Sequence, residues 1–255
     1  MIVDTNSLKR GGQTCLLAVL GLLLSGNPLA AQANSKFEPR YHSIYLAAKT
    51  SWTQQSPDLT NACLLARAAF DLAEFATNNT RRAQLAVEGI DAARSAVQLN
   101  EKCAPAHYYL AMNLGQLART QLLGALKLVG EMEKHFAIAA TLDPLIDHAG
   151  PDRNLGTLYR EAPGWPASIG SRSKARTHLK KAIEHAPGYP GNQLAMLEAH
   201  IDWKETRAAE KLVQQIEHSL ADAKREFAGE DWDWAWDDWS RLWETLRGKV
   251  NKTAR

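Results

Sequence analysis

The side chains of this chain best suited to chemistry are a few histidines, two internal cysteines and a set of clustered aromatics. His178 and His185 are seven residues apart, a spacing that lets them share a helical face, and His200 follows Glu198. None of these makes a recognised zinc spacing such as H-E-x-x-H. No Gly-rich phosphate loop, nucleophile elbow or outstanding carboxylate pair occurs either. The sequence therefore assigns no catalytic residue, no metal ligand and no cofactor, and the chain is not expected to be an enzyme.

Composition narrows the classes further. Thirty basic residues are interspersed with 28 acidic ones for a formal net charge of +2, so no single-sign field recruits nucleic acid. The N-terminus reads as an export signal: Lys9 and Arg10 precede an apolar run from Leu16 to Leu24, then Ala31-Gln32-Ala33 fits small-x-small cleavage. That run is well short of the roughly 20 residues that a membrane span needs, so cleavage before Asn34 is favoured over an uncleaved anchor. Cys15 precedes the apolar run instead of standing at the junction, which argues against a lipid anchor and for a soluble periplasmic form. Residues 1–33 are thus expected to be a signal peptide.

After it, helix-period patterns dominate and period-two alternation is absent. Ser56-Pro57-Asp58 reads as a helix start, with Ser56 as N-cap and Pro57 at the first helical position. The helix carries Leu65, Ala68, Ala69, Leu72 and Phe75 on one face and is expected to end near Asn78-Asn79. A second spans about Thr80 to Leu99. The segment Ala96-Val97-Gln98-Leu99-Asn100-Glu101 recurs as Ala139-Ala140-Thr141-Leu142-Asp143-Pro144 and as Ala182-Ile183-Glu184-His185-Ala186-Pro187, each copy 43 residues after the last. Small alanines that admit a close helix crossing, followed by Pro, mark the helix B to helix A junction of tetratricopeptide-like repeats. The expected fold is an all-α, tetratricopeptide-like array of helical hairpins, an α-solenoid, over residues 56–226. The surplus over a 34-residue period is placed between helices A and B: a helix extended through Leu117, Leu122, Leu123, Leu126 and Val129, then a loop, Glu161-Ala162-Pro163-Gly164-Trp165-Pro166.

Residues 34–55, with Tyr41, His42, Tyr45 and Trp52, fit either a capping helix or an arm crossing to a neighbouring subunit. Residues 227–255 form a Trp-rich closing helix and tail. There Trp232, Trp236, Trp239 and Trp243 share one face, as a helix closing the last hairpin requires. Trp234 points elsewhere and is expected at a subunit or partner contact. Tyr108, Tyr159 and Trp165 join it as the expected ligand or partner surface, although Trp165 would equally serve to fill a gap between helices. Export leaves Cys63 and Cys103 as a pair, either a disulfide or two buried thiols. The ends of a helical hairpin lie side by side, so a bridge is plausible and would contribute about 4 kcal/mol by chain entropy.

A resemblance sharpens this reading. Gly150-Pro151-Asp152-Arg153-Asn154-Leu155-Gly156-Thr157-Leu158-Tyr159, Ala162-Pro163-Gly164-Trp165-Pro166, Lys174-Ala175-Arg176-Thr177-His178-Leu179-Lys180-Lys181-Ala182 and Ala186-Pro187-Gly188-Tyr189-Pro190-Gly191-Asn192 resemble the T-component (TatT) family of TRAP transporters. The resemblance implies a periplasmic homotrimer with an apolar channel or cavity in each subunit. It also implies a periplasmic solute-binding protein as partner and an organic, apolar small molecule as cargo. Members are commonly lipoproteins, from which the position of Cys15 departs. The leading expectation is a binding and docking subunit with no direct membrane span in its mature form. The runner-up is a scaffold for envelope proteins with no small-molecule ligand, and an envelope hydrolase on a helical array comes third.

Overall fold

The computed structural model describes residues 36–54, 58–121 and 124–253. The expected signal segment, the start at Asn34, and the residues Cys15, Ser56, Pro57, Leu122 and Leu123 lie outside the described residues. The described chain is all-helical: α1 Glu38–Gln54, α2 Leu59–Ala73, α3 Asn79–Leu99, α4 Ala104–Ala118, α5 Ala125–Leu142, α6 Gly150–Glu161, α7 Arg172–His185, α8 Pro190–Asp202, α9 Thr206–Glu226 and α10 Asp233–Thr253. Consecutive helices pack in pairs, α2 with α3, α4 with α5, α6 with α7 and α8 with α9, while α1 covers α2 and α10 covers α8 and α9. This is the tetratricopeptide-like array, with α10 as its C-terminal cap. Among the described residues no helix is long and apolar enough to cross a membrane.

The 43-residue repeat has a direct physical counterpart. Ala96, Ala139 and Ala182 are each fully buried. Each accepts the backbone N–H of the residue that stops its helix: Asn100 N to Ala96 O at 3.0 Å, Asp143 N to Ala139 O at 2.9 Å, Ala186 N to Ala182 O at 3.0 Å. A larger side chain at these points would hold apart the helices that cross there. Each following helix opens with Pro in its first turn, where the missing N–H costs no helical bond.

Four local expectations need correction. The N-cap of α2 is Asp58, in extended backbone, whose carboxylate accepts from Asn61 N at 3.2 Å. That helix ends at Ala73, and Asn78 caps the next helix by accepting from Arg81 N at 2.8 Å. The helix expected through Leu117 to Val129 is two helices, because α5 must reverse to pack on α4; Gly124, at φ 110°, supplies left-handed backbone at the break. The surplus residues are also not confined to the A–B connections, since the seven residues 143–149 join α5 to α6.

That last connection is unusual. Asp147, His148 and Ala149 all lie in the left-handed region, at φ 50°, 52° and 62°, a conformation that costs an L residue about 1–2 kcal/mol. The turn is held by Arg153, 1% exposed, which donates Nη1 to the carbonyls of Asp147 and His148, both at 3.2 Å, and to Asn192 Oδ1 at 3.0 Å. Its Nη2 reaches Asp147 Oδ2 at 2.9 Å, and the Tyr108 hydroxyl donates to the same oxygen at 2.5 Å. Asn192 in turn donates to the carbonyls of His148, Ala182 and Ala186. One guanidinium therefore ties α4, the 143–149 turn, α6 and α8 together.

The array curls until its ends meet. Trp234, at the start of α10, packs on Tyr41 of α1 (6.2 Å between centroids) and on Phe75 after α2 (5.7 Å), while Lys36 pairs with Asp237 at 3.0 Å and Arg40 with Asp231. Residues 34–55 thus contribute a helix that packs on its own chain.

Between α4 and α5, His107 Nε2 lies 2.9 Å from Glu101 O and must donate to it, leaving Nδ1 to accept from His135 Nδ1–H at 2.7 Å. Burial, helped by the neighbouring His107, holds His135 down to about 4.

Two outcomes are expected. Arg153→Leu leaves Asp147 buried without its counter-charge and the left-handed turn without its donor; it should cost about 3–5 kcal/mol, read as a fall in the urea midpoint. For His135, the unfolded chain takes up a proton near pH 6.5 while the folded chain resists until about 4, so stability falls as pH drops through that window. Buried Asp71, raised to about 7, acts in the opposite sense over pH 4–7. The wild-type minus His135→Gln difference in stability isolates the histidine, and it should narrow by an order of 3 kcal/mol between pH 7 and pH 4.

Candidate functional site

The C-terminal cap builds a cleft. Trp236, Trp239 and Trp243 recur at helical spacing on α10 and meet Pro190 and Leu194 of α8 and Ile216 and Leu220 of α9. Indole rings are planar and rigid, so a row of them cannot bend to fill the hollow between two helices as Leu or Met would. The residue is a cavity of about 230 Å³ with these seven side chains as walls and Lys224, Ser240 and Glu244 as its polar lining. The rings are fixed: Trp236 Nε1 donates to Phe227 O at 2.6 Å, and Trp236 meets Trp239 edge-on at 5.1 Å.

Its size and lining limit what it can hold. An apolar cavity of about 150 Å³ takes up benzene, and drug-sized sites begin near 300 Å³. The space suits one aromatic ring or a short branched chain, bound by desolvation, with Lys224 placed to meet an anionic end. Lys224 Nζ lies 5.8 Å from the centre of the Trp236 ring.

The four aromatic residues expected to form one surface are not brought together. Tyr108 is fully buried and serves the Arg153 cluster, so it belongs to the core. Tyr159, also buried, stacks on His178 at 5.5 Å and donates to Glu133. Trp234 is 7% exposed, which removes it from the outer surface: the closure of the array on itself puts it against Tyr41 and Phe75. Only Trp165 is displayed, at 89% exposure, and it does not fill a gap between helices. Its loop is braced by Gly170 N to Pro163 O and Ser171 N to Tyr159 O, both 2.9 Å, and contains a cis Trp165–Pro166 bond. Gly170 is obligatory there, since a Cβ would stand 2.0 Å from Ala162 O.

The histidines singled out from the sequence are engaged elsewhere. His178 Nδ1 meets Asp152 Oδ1 and His200 Nδ1 meets Glu205 Oε2, both at 2.7 Å, while His185 is exposed. Among the described residues no group of three or more His, Cys, Asp or Glu is disposed to hold a metal ion. The interior charge that sequence reading missed is Arg67 with Asp71, 3.6 Å apart on α2, where burial lifts Asp71 to about 7 against the pull of Arg67. Their i,i+4 spacing was visible; their burial depends on α1 and on the closure of the array.

Comparison with known families adds one likeness. Residues 29–147 match the family model described as Regulator of microtubule dynamics protein 1-3, a span somewhat under half of the chain that contains α1 to α5. The motifs at 150–192 and the tryptophan cleft lie beyond it. A search of curated proteins returns no match.

The two outlying tryptophans should separate cleanly. Trp234→Ala should destabilise by about 3–5 kcal/mol in equilibrium unfolding, as removal of a buried indole does. Trp165→Ala should stay within about 0.5 kcal/mol of the parent; a large loss at Trp165 would contradict its exposure.

Proposed function

We propose that this protein is a periplasmic binding and docking subunit associated with a TRAP-type solute transporter, working beside a solute-binding protein and carrying no catalytic centre of its own. The observation that carries this reading is the tryptophan-walled cavity between α8, α9 and α10, an apolar space sized for a small organic group. The T-component resemblance at 150–192 and the export signal at 1–33 support the same setting. The displayed Trp165, on a braced loop, has the character of an anchor for a partner protein, since indole is enriched at interface hot spots.

One observation favours a second reading, a scaffold that binds proteins and no small molecule. The family matched by residues 29–147 is named for regulating microtubule dynamics, an action on a protein assembly. On that reading the α1–α5 half is a protein-binding unit and the cavity is a packing flaw of the cap.

Native mass spectrometry of the mature chain, purified gently from its own periplasm, distinguishes the two. A trimer carrying a co-purified small molecule is the expected result. The bound mass should disappear in Leu194→Trp, which fills the cavity, while the subunit count is kept. A ligand-free monomer would reject the transporter-subunit reading in favour of the scaffold.

A further inference from the structure

The sequence leaves Cys63 and Cys103 as either a disulfide or two buried thiols, and their surroundings differ in ways that matter for reactivity. Cys63 lies one turn inside α2 and is 2% exposed; Cys103 is the N-cap residue of α4 and is partly open to solvent. Their sulfurs are 3.7 Å apart as free thiols. To bond, the sulfurs must close to about 2.05 Å.

Cys103 Sγ lies within hydrogen-bond reach of Cys63 Sγ, and either thiol can be the donor; Cys103 also stands at the N-terminus of α4, where the first backbone N–H groups have no helical partner. The contact with Cys63 holds the Cys103 thiol below the ordinary thiol range against the effect of burial. The same bond, then burial, keeps Cys63 well above the ordinary thiol range. The more accessible sulfur, at a helix end, is therefore the one an incoming disulfide meets first and the buried sulfur its shielded neighbour, the asymmetry that thiol–disulfide exchange uses.

We infer that Cys63 and Cys103 are a redox-reactive pair, in which Cys103 attacks an incoming disulfide and Cys63 resolves the mixed disulfide. In the first step the Cys103 thiolate bonds to one sulfur of R–S–S–R and expels RS⁻. In the second, Cys63 gives its proton to the departed thiolate or to water, attacks Cys103 Sγ and expels the other RS⁻. The dithiol is oxidised to an intramolecular disulfide and one R–S–S–R is reduced to two R–SH. The product ties the start of α4 to the first turns of α2, so the redox state sets how firmly the second hairpin is held to the first. This inference does not depend on the transporter reading.

The test uses the full chain carrying Cys15→Ser, with glutathione disulfide as oxidant and mass spectrometry as readout. The parent should lose two hydrogens and retain no adduct. Cys63→Ser should accumulate one glutathione per chain, while Cys103→Ser should react several-fold more slowly. Iodoacetamide labelling of Cys103 should show a midpoint below that of an ordinary cysteine, and Cys63→Ala should raise that midpoint and slow labelling at pH 7 several-fold, with partial rescue in Cys63→Ser through its hydroxyl. The parent measurements need no substitution at either cysteine. A parent that stays a dithiol, or an adduct that forms first on Cys63, would overturn the assignment.

Discussion

The buried contact between Arg153 and Asp147 is the constraint on which the rest of this array depends. Tetratricopeptide-like stacks gain stability mainly from contacts between neighbouring hairpins, so a junction that misdirects one helix misplaces everything beyond it. Here the α5–α6 junction is a left-handed turn of three L residues, intrinsically unfavourable backbone. It persists because its carbonyls are acceptors for the same buried guanidinium that pairs with Asp147 and Asn192. Remove the cation and both the strained turn and the desolvated carboxylate lose their compensation together.

What that junction fixes is curvature. With α6 and α8 aimed by Arg153 and Asn192, the later hairpins bend round far enough for the first turn of α10 to reach α1 and α2. The aromatic contact of Trp234 with Tyr41 and Phe75 is flanked by the Lys36–Asp237 and Arg40–Asp231 pairs. Exposed ion pairs of this kind add little by themselves, about 0–1 kcal/mol. The desolvated indole is the larger contribution, and the charges fix which way the helix lies. Because α10 starts in the N-terminal core and continues over α8 and α9, it spans both sections of the core.

Much of the array was legible because its signals are local. Alanines at 96, 139 and 182 report helix crossings whatever lies around them. The α2 start was misplaced by two residues because Ser56 and Asp58 are equally good caps by type, and only backbone geometry chooses between them. The site was harder to read. Periodicity put four tryptophans on one face of α10 but said nothing of the hollow that they leave, which depends on Leu194, Ile216 and Leu220 of two other helices. Trp234 was assigned outward because it falls off that stripe; the surface that buries it belongs to residues about 160–190 positions earlier in the chain.

Arg153 shows the same limit from the other side. It stood in plain view within the Gly-Pro-Asp-Arg-Asn-Leu-Gly run, yet its role rests on carbonyls in backbone that no residue type announces, since Asp147, His148 and Ala149 carry no glycine to mark a left-handed turn. The cysteines follow suit. Spacing brought Cys63 and Cys103 side by side, whereas their difference in exposure comes from one sitting at a helix end and the other inside a helix. Chemistry in this fold is thus placed by helix ends: the α4 terminus presents a sulfur beside its partner, the α5–α6 junction consumes a guanidinium, and the start of α10 closes the ring that leaves the tryptophan cleft as its unfilled remainder.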